Sequence, residues 1–131
     1  MDRLVATIVG IFENEPIDIY VNPTYLPPVI APQYDALWTP QRVQRVIAAA
    51  AKNGIAIEIS NTHRLPKPDF IRAAKEAGVK FTFGTNNAGP ELRRLEYCAE
   101  MVDQCDLTWR DMWTPKPPGQ KPIQLRKPAA P

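Results

Sequence analysis

With 131 residues the chain has room for one domain, and its 16 basic and 14 acidic side chains, spread along the sequence to a net charge of +2, form no electrostatic footprint for nucleic acid. A hydrophobic share of 44% and a charged share of 23% belong to a globular chain and exclude wholesale disorder. No apolar run approaches the roughly 20 residues of a membrane span, and the opening MDRLVATIVGIFENE turns acidic too early for a secretory signal, so a cytoplasmic location is expected.

Residues 2–13 read as a helix, with Asp2 placed to cap it and Leu4, Val5, Ile8, Ile11 and Phe12 forming an apolar stripe. Residues 17–22 then alternate: Ile17, Ile19 and Val21 share one side of a strand, Asp18, Tyr20 and Asn22 the other. From Pro23 to Trp38 the chain carries four prolines and three large aromatics, Tyr25, Tyr34 and Trp38. So long a connection is commonly functional. Thr39-Pro40 opens a second helix, in which Val43, Val46, Ile47 and Ala50 keep helical spacing, and Asn53-Gly54 closes it.

The central stretch is strand, helix, strand. Ile55, Ile57 and Ile59 alternate with Ala56, Glu58 and Ser60; Val79, Phe81 and Phe83 alternate with Lys80, Thr82 and Gly84. Between them Pro68 suits a first helical turn, Phe70, Ala73, Ala74 and Ala77 follow helical spacing, and Gly78 stands where a left-handed cap belongs. Strands joined through a helix run parallel with a right-handed crossover. A further helix is expected from Pro90 to about Gln104, with Leu92, Leu95, Cys98, Ala99, Met101, Val102 and Cys105 inward, then a short turn over 107–113 capped by Thr108. Residues 114–131 hold six prolines and read as an extended or disordered tail. Cys98 and Cys105, seven apart on one helix, lie about 10 Å from each other. That is too far for a disulfide, so both are expected to be buried thiols.

In a doubly wound sheet the central strands are apolar on both faces. Here one face of each strand is Ile, Val or Phe and the other small or polar, including Asp18, Glu58 and Lys80. Strands packed outward on helices and inward on a partly polar interior give this pattern, so the fold class is α/β, a partial TIM-like barrel of three parallel strands over residues 1–113. The remaining barrel half, or a second copy, is expected to cover the sheet edges.

Active sites of parallel β/α folds form at the carboxyl ends of strands. The loops there supply Asn22, Asn61, His63, Arg64, Asn86 and Asn87, a set suited to a small polar or phosphorylated ligand. Asparagine also tolerates left-handed backbone in loops. His63 is the chain's single histidine and Arg64 suits an anionic group; Glu58 and Lys80 read as an interior ion pair.

The run from Ala56 to Met112, AIEISNTHRLPKPDFIRAAKEAGVKFTFGTNNAGPELRRLEYCAEMVDQCDLTWRDM, resembles the closing part of the PHP (polymerase and histidinol phosphatase) domain, and IDIYVNPTYLP resembles the family strand that ends in His-Pro. The resemblance covers about residues 1–113 and implies a distorted (β/α)7 barrel of metal-dependent phosphoesterases using Mn, Zn, Mg or Fe. It places family metal ligands at Asn22, usually His, at Asn86, usually Asp, and at Ala88, usually His; the family's His-x-His would lie before Met1. All three positions carry side chains that bind divalent metal poorly or not at all. The resemblance therefore implies a fragment or degenerate form without phosphoesterase activity of its own. Its rivals are a non-catalytic module binding a small polar or anionic ligand and an amidohydrolase-like metal barrel, which would likewise need upstream histidines.

Overall fold

The computed structural model describes residues 1–86, 94–117, 119 and 120. Helix α1 (Asp2–Asn14) is followed by strand β1 (Ile19–Tyr20), a 3-10 turn (Ala31–Gln33) and the short α2 (Tyr34–Leu37). Then come α3 (Pro40–Asn53), β2 (Ala56–Ser60), α4 (Pro68–Glu76), β3 (Phe81–Gly84), α5 (Glu96–Gln104) and a last 3-10 turn (Trp109–Asp111). The strands form one open sheet in the order β1-β2-β3, and both pairings are parallel. The fold is thus mixed α/β.

The helix boundaries follow local chemistry. Thr39 Oγ1 accepts the Arg42 N–H at 3.5 Å and Pro40 takes the first turn of α3. At the other end Gly54, at φ 66°, turns its N–H onto the Ala50 and Ala51 carbonyls. Helix α4 begins at Pro68 and is closed by Gly78 at φ 80°, after which Val79 N–H reaches the Ala74 carbonyl at 3.0 Å. Thr108 and Asp111 form a capping box around the last turn. Asp2 is not a cap: it lies in the first turn of α1, and its carboxylate holds Arg42 of α3 at 2.8 Å. The described part of the fifth helix starts at Glu96, later than Pro90; residues 90–93 lie outside the described region.

Helix α1 packs on α3 and α3 on α4. Helix α4 then reaches α5 with cations at a carbonyl-rich end: Lys75 Nζ donates to the Cys105 and Asp106 carbonyls at 3.3 and 2.7 Å, and Arg72 to Gln104 at 3.2 Å. Residues of α1, α3, α4 and α5 join Ile57 and Ile59 of β2 in one buried cluster. Right-handed crossovers between sequential parallel strands put the connecting helices on one side of a sheet. The core between them includes Val5, Phe12, Val46, Ile47, Ile57, Ile59, Ile71, Phe81 and Met101. Burial of each such large side chain is worth about 1.5–3 kcal/mol.

One expectation about strand faces is corrected. The register pairs Tyr20 with Ile57 and Ile19 with Ala56, so Tyr20, not Ile19, shares the helix-covered face. The larger ring wins that side because it packs edge-on against Phe12, with centroids 5.2 Å apart, while Val21 is 56% exposed. On the second face of β2, Ala56, Glu58 and Ser60 are buried along with the isoleucines, so this face carries polar groups away from solvent. Beyond β3 the chain continues the pattern, since Met112 bridges Phe81 in parallel and Trp113 N–H donates to the Phe81 carbonyl at 2.8 Å. Residues 114–117 are exposed and carry no regular structure; residues 118 and 121–131 of the proline-rich stretch lie outside the described region.

Cys98 and Cys105 are free and buried, as their spacing requires, and burial pushes both thiols above the ordinary range. Burial also pushes the Tyr20 and Tyr97 phenols up to about 12. The unfolded chain ionises these groups near pH 10, before the folded one does. Their contribution to stability is therefore full below about pH 10 and is lost as pH rises toward 12. Urea midpoints measured between pH 9 and 12 are expected to fall, and Tyr20→Phe is expected to flatten that fall. An unchanged slope in Tyr20→Phe would contradict the assignment.

Candidate functional site

The carboxyl ends of the three strands turn on left-handed backbone. Asn22 after β1 has φ 46°, Arg64 after β2 has φ 50°, and Asn86 after β3 has φ 47°. Asparagine adopts this region more readily than most residues, which gives two of the three amides a backbone reason for being there.

Four side chains and one glycine meet at this rim. Asn86 Nδ2 donates to Asn22 Oδ1 at 2.9 Å, and Ser60 Oγ donates to the same oxygen at 3.3 Å. Glu58, only 6% exposed, accepts the Asn22 N–H at Oε2 over 2.7 Å. Such charge-assisted bonds are the strong ones. Its other oxygen lies against Gly84, where a built Cβ collides with the carboxylate. The register explains the closeness: Glu58 pairs with Thr82 and Ser60 with Gly84, so a long acidic side chain on β2 leans over the one position on β3 without a side chain.

The structure divides the expected site residues. Asn22 and Asn86 come together. Asn61 turns away: its N–H donates to the Gly84 carbonyl at 2.8 Å and its Oδ1 accepts Tyr97 N–H at 2.8 Å, satisfying the first turn of α5. Thr62 Oγ1 donates to the Thr85 carbonyl, tying the β2 and β3 loops. His63 lies against Tyr25 with ring centroids 4.6 Å apart and planes tilted by 52°. Arg64 pairs with Glu100 at 2.8 Å and lies 4.7 Å from the Tyr97 ring centroid. Asn87 and Ala88 fall outside the described residues. The expected Glu58 and Lys80 ion pair does not form, because Lys80 Nζ donates to the Arg110 carbonyl at 2.8 Å while Glu58 serves Asn22.

Glu58, which reads from the sequence as the partner of Lys80, joins the mouth instead, together with Ser60 and Gly84 at the starts of two strand-end loops. A signal existed: a lone glycine in a strand beside a strand bearing glutamate marks a close approach. Beside the mouth, the long connection after β1 and the β2 loop enclose a cleft of about 800 Å³, with Tyr25, Pro28, Pro32, Tyr34, His63 and Lys67 in its walls.

As a metal centre the rim is poor. Among the described residues no three His, Cys, Asp or Glu side chains converge. The rim offers one carboxylate with amide and hydroxyl oxygens, and Asn22 Oδ1 already accepts two hydrogen bonds. That donor set does not fit a multinuclear site for Mn, Zn, Mg or Fe, which needs imidazoles and several carboxylates. Comparison with protein-family models, with curated proteins and with solved structures gave no match to this chain. No helix among the described residues is long and apolar enough to cross a membrane.

Proposed function

We propose that this chain is the C-terminal part of a PHP-like, TIM-like (β/α)7 barrel whose rim binds a small polar or anionic ligand and does not hydrolyse phosphate esters. The observation that carries the reading is the hydrogen bond between Asn86 and Asn22, two residues that stand where the family resemblance puts an aspartate and a histidine. Amides so placed present N–H donors and carbonyl acceptors to a ligand but neither generate hydroxide at neutral pH nor hold a cation pair.

Support for a barrel wall comes from the sequential order of the parallel strands and the parallel bridge at Met112 beside β3. An open wall of this kind leaves strand edges for the rest of a barrel or a second copy to pair with. The catalytic half of the proposal is tested with the purified chain, p-nitrophenyl phosphate and each of Mn, Zn, Mg and Fe in turn. No metal-dependent turnover above background is expected; turnover abolished by a chelator overturns it. The binding half is tested by titrating inorganic phosphate and a sugar phosphate against the side-chain amide resonances of Asn22 and Asn86, which are expected to shift with saturation. Resonances that stay fixed sink the binding role.

A further inference from the structure

Glu58 is held by less than its burial calls for. Among the described residues its carboxylate makes one hydrogen bond, the one that Asn22 N–H donates to Oε2 at 2.7 Å. An ionised carboxylate has room for about four donors, and a charge taken out of water is costly when few of them come. None of the ion pairs among the described residues includes Glu58. Lys80 on the next strand is engaged by the Arg110 carbonyl.

The underused atom is Oε1, which lies over Gly84 at the end of β3, two residues before Asn86. Beside it the amides leave complementary groups. Asn22 Oδ1 is full, accepting from Asn86 and Ser60, whereas Asn22 Nδ2 and Asn86 Oδ1 have no partner among the described residues. Asn86 is exposed and Asn22 half-buried, so this side of the rim is open to solvent.

The groups left over restrict what completes them. An anion set against Oε1 adds like charge to a carboxylate that lacks a counter-ion. An ammonium suits the carboxylate but only donates, which leaves the Asn22 amide protons unmatched. A hydroxyl donates and accepts at once, and so matches a carboxylate and an amide side by side.

We propose that the rim between Asn22 and Asn86 recognises a vicinal diol of a sugar or sugar phosphate, with Glu58 as the residue that selects it. One hydroxyl donates to Glu58 Oε1 and accepts from Asn22 Nδ2; its neighbour donates to Asn86 Oδ1. A buried acidic side chain that reads sugar hydroxyls is a recurring device in nucleotide sites of α/β folds. Any phosphate of the ligand lies away from Glu58, on the exposed Asn86 side. This inference rests on the ligand-binding reading of the rim and narrows it to one chemical class.

The full-length, 15N-labelled chain is titrated with ribose 5-phosphate and 2-deoxyribose 5-phosphate, following the side-chain amide resonances of Asn22 and Asn86. The probes carry the same charge, and only the first has vicinal hydroxyls in its ring. Ribose 5-phosphate is expected to bind about tenfold more tightly, as one more hydrogen bond to a carboxylate implies. That ratio should fall to about two or less in Glu58→Gln, whose amide oxygen still accepts from Asn22 N–H. Unphosphorylated ribose tells the two sources apart: shifts at the same resonances assign the site to a sugar, and silence beside the tenfold ratio assigns it to a sugar phosphate. Equal affinity for the two phosphorylated probes overturns the diol and leaves the rim a binding site. A ratio undiminished in Glu58→Gln overturns the selection by Glu58. If neither probe nor inorganic phosphate moves these resonances, the binding reading fails and this inference falls with it.

Discussion

Replacing Gly84 with alanine is expected to destabilise the fold by about 2–4 kcal/mol, combining overpacking with damage to a charged hydrogen bond. The new methyl group enters the space of the Glu58 carboxylate, which is buried and anchored to Asn22 N–H. Either the carboxylate swings away and leaves the Asn22 N–H without its partner, or β3 shifts against β2. Glu58→Ala alone is expected to cost about 1–3 kcal/mol, since it removes that partner. The double variant is the decisive measurement. With the carboxylate gone the methyl at position 84 has room, so the pair should cost clearly less than the sum of the two singles in urea unfolding. Strict additivity, or a Gly84→Ala variant as stable as the parent, would show that the carboxylate does not lie where the rim needs it.

The second large effect is expected at Phe81. Its ring is fully buried in the core while its carbonyl accepts from Trp113, so Phe81→Ala should cost about 3–5 kcal/mol. Phe83, two residues on and on the same face, is 41% exposed. Phe83→Ala should cost only about 1 kcal/mol, in proportion to the area it buries. Equal losses at the two positions in matched denaturation curves would contradict this packing.

The contrast between Phe81 and Phe83 also shows where the sequence stops being legible. Alternation identified the strands and the helix between β2 and β3, and the punctuation at Thr39, Pro40, Gly54, Pro68 and Gly78 placed the helix ends, because those signals act within a few residues of where they stand. Alternation assigns side chains to two sides of a strand but does not say how far a helix extends over either side. Phe83 therefore reads as core yet reaches the margin of the sheet. At β1 the same rule chose the wrong side, since two paired residues give little periodicity and the contact between Tyr20 and Phe12 decides the matter from outside the strand. The rim was half legible. Asn22 and Asn86 meet because topology brings strand ends together, a rule that needs no coordinates. Asn61, His63 and Arg64 were named by the same rule but are engaged with Tyr97, Tyr25 and Glu100, partners far away in sequence. Glu58 reads as a partner of Lys80 by charge alone, whereas the missing side chain at Gly84 is what makes room for its carboxylate.

The left-handed turns at Asn22, Arg64 and Asn86 have a bearing on how this protein should be mutated. A β-branched or alanine replacement at such a position imposes a backbone penalty of roughly 1 kcal/mol before any interaction with a ligand is touched. Alanine scanning would thus confuse a sprung hinge with a missing contact. Asn→Gly, which relaxes the main chain while deleting the amide, and Asn→Asp, which tolerates the same turn while changing only the head group, separate the two contributions cleanly.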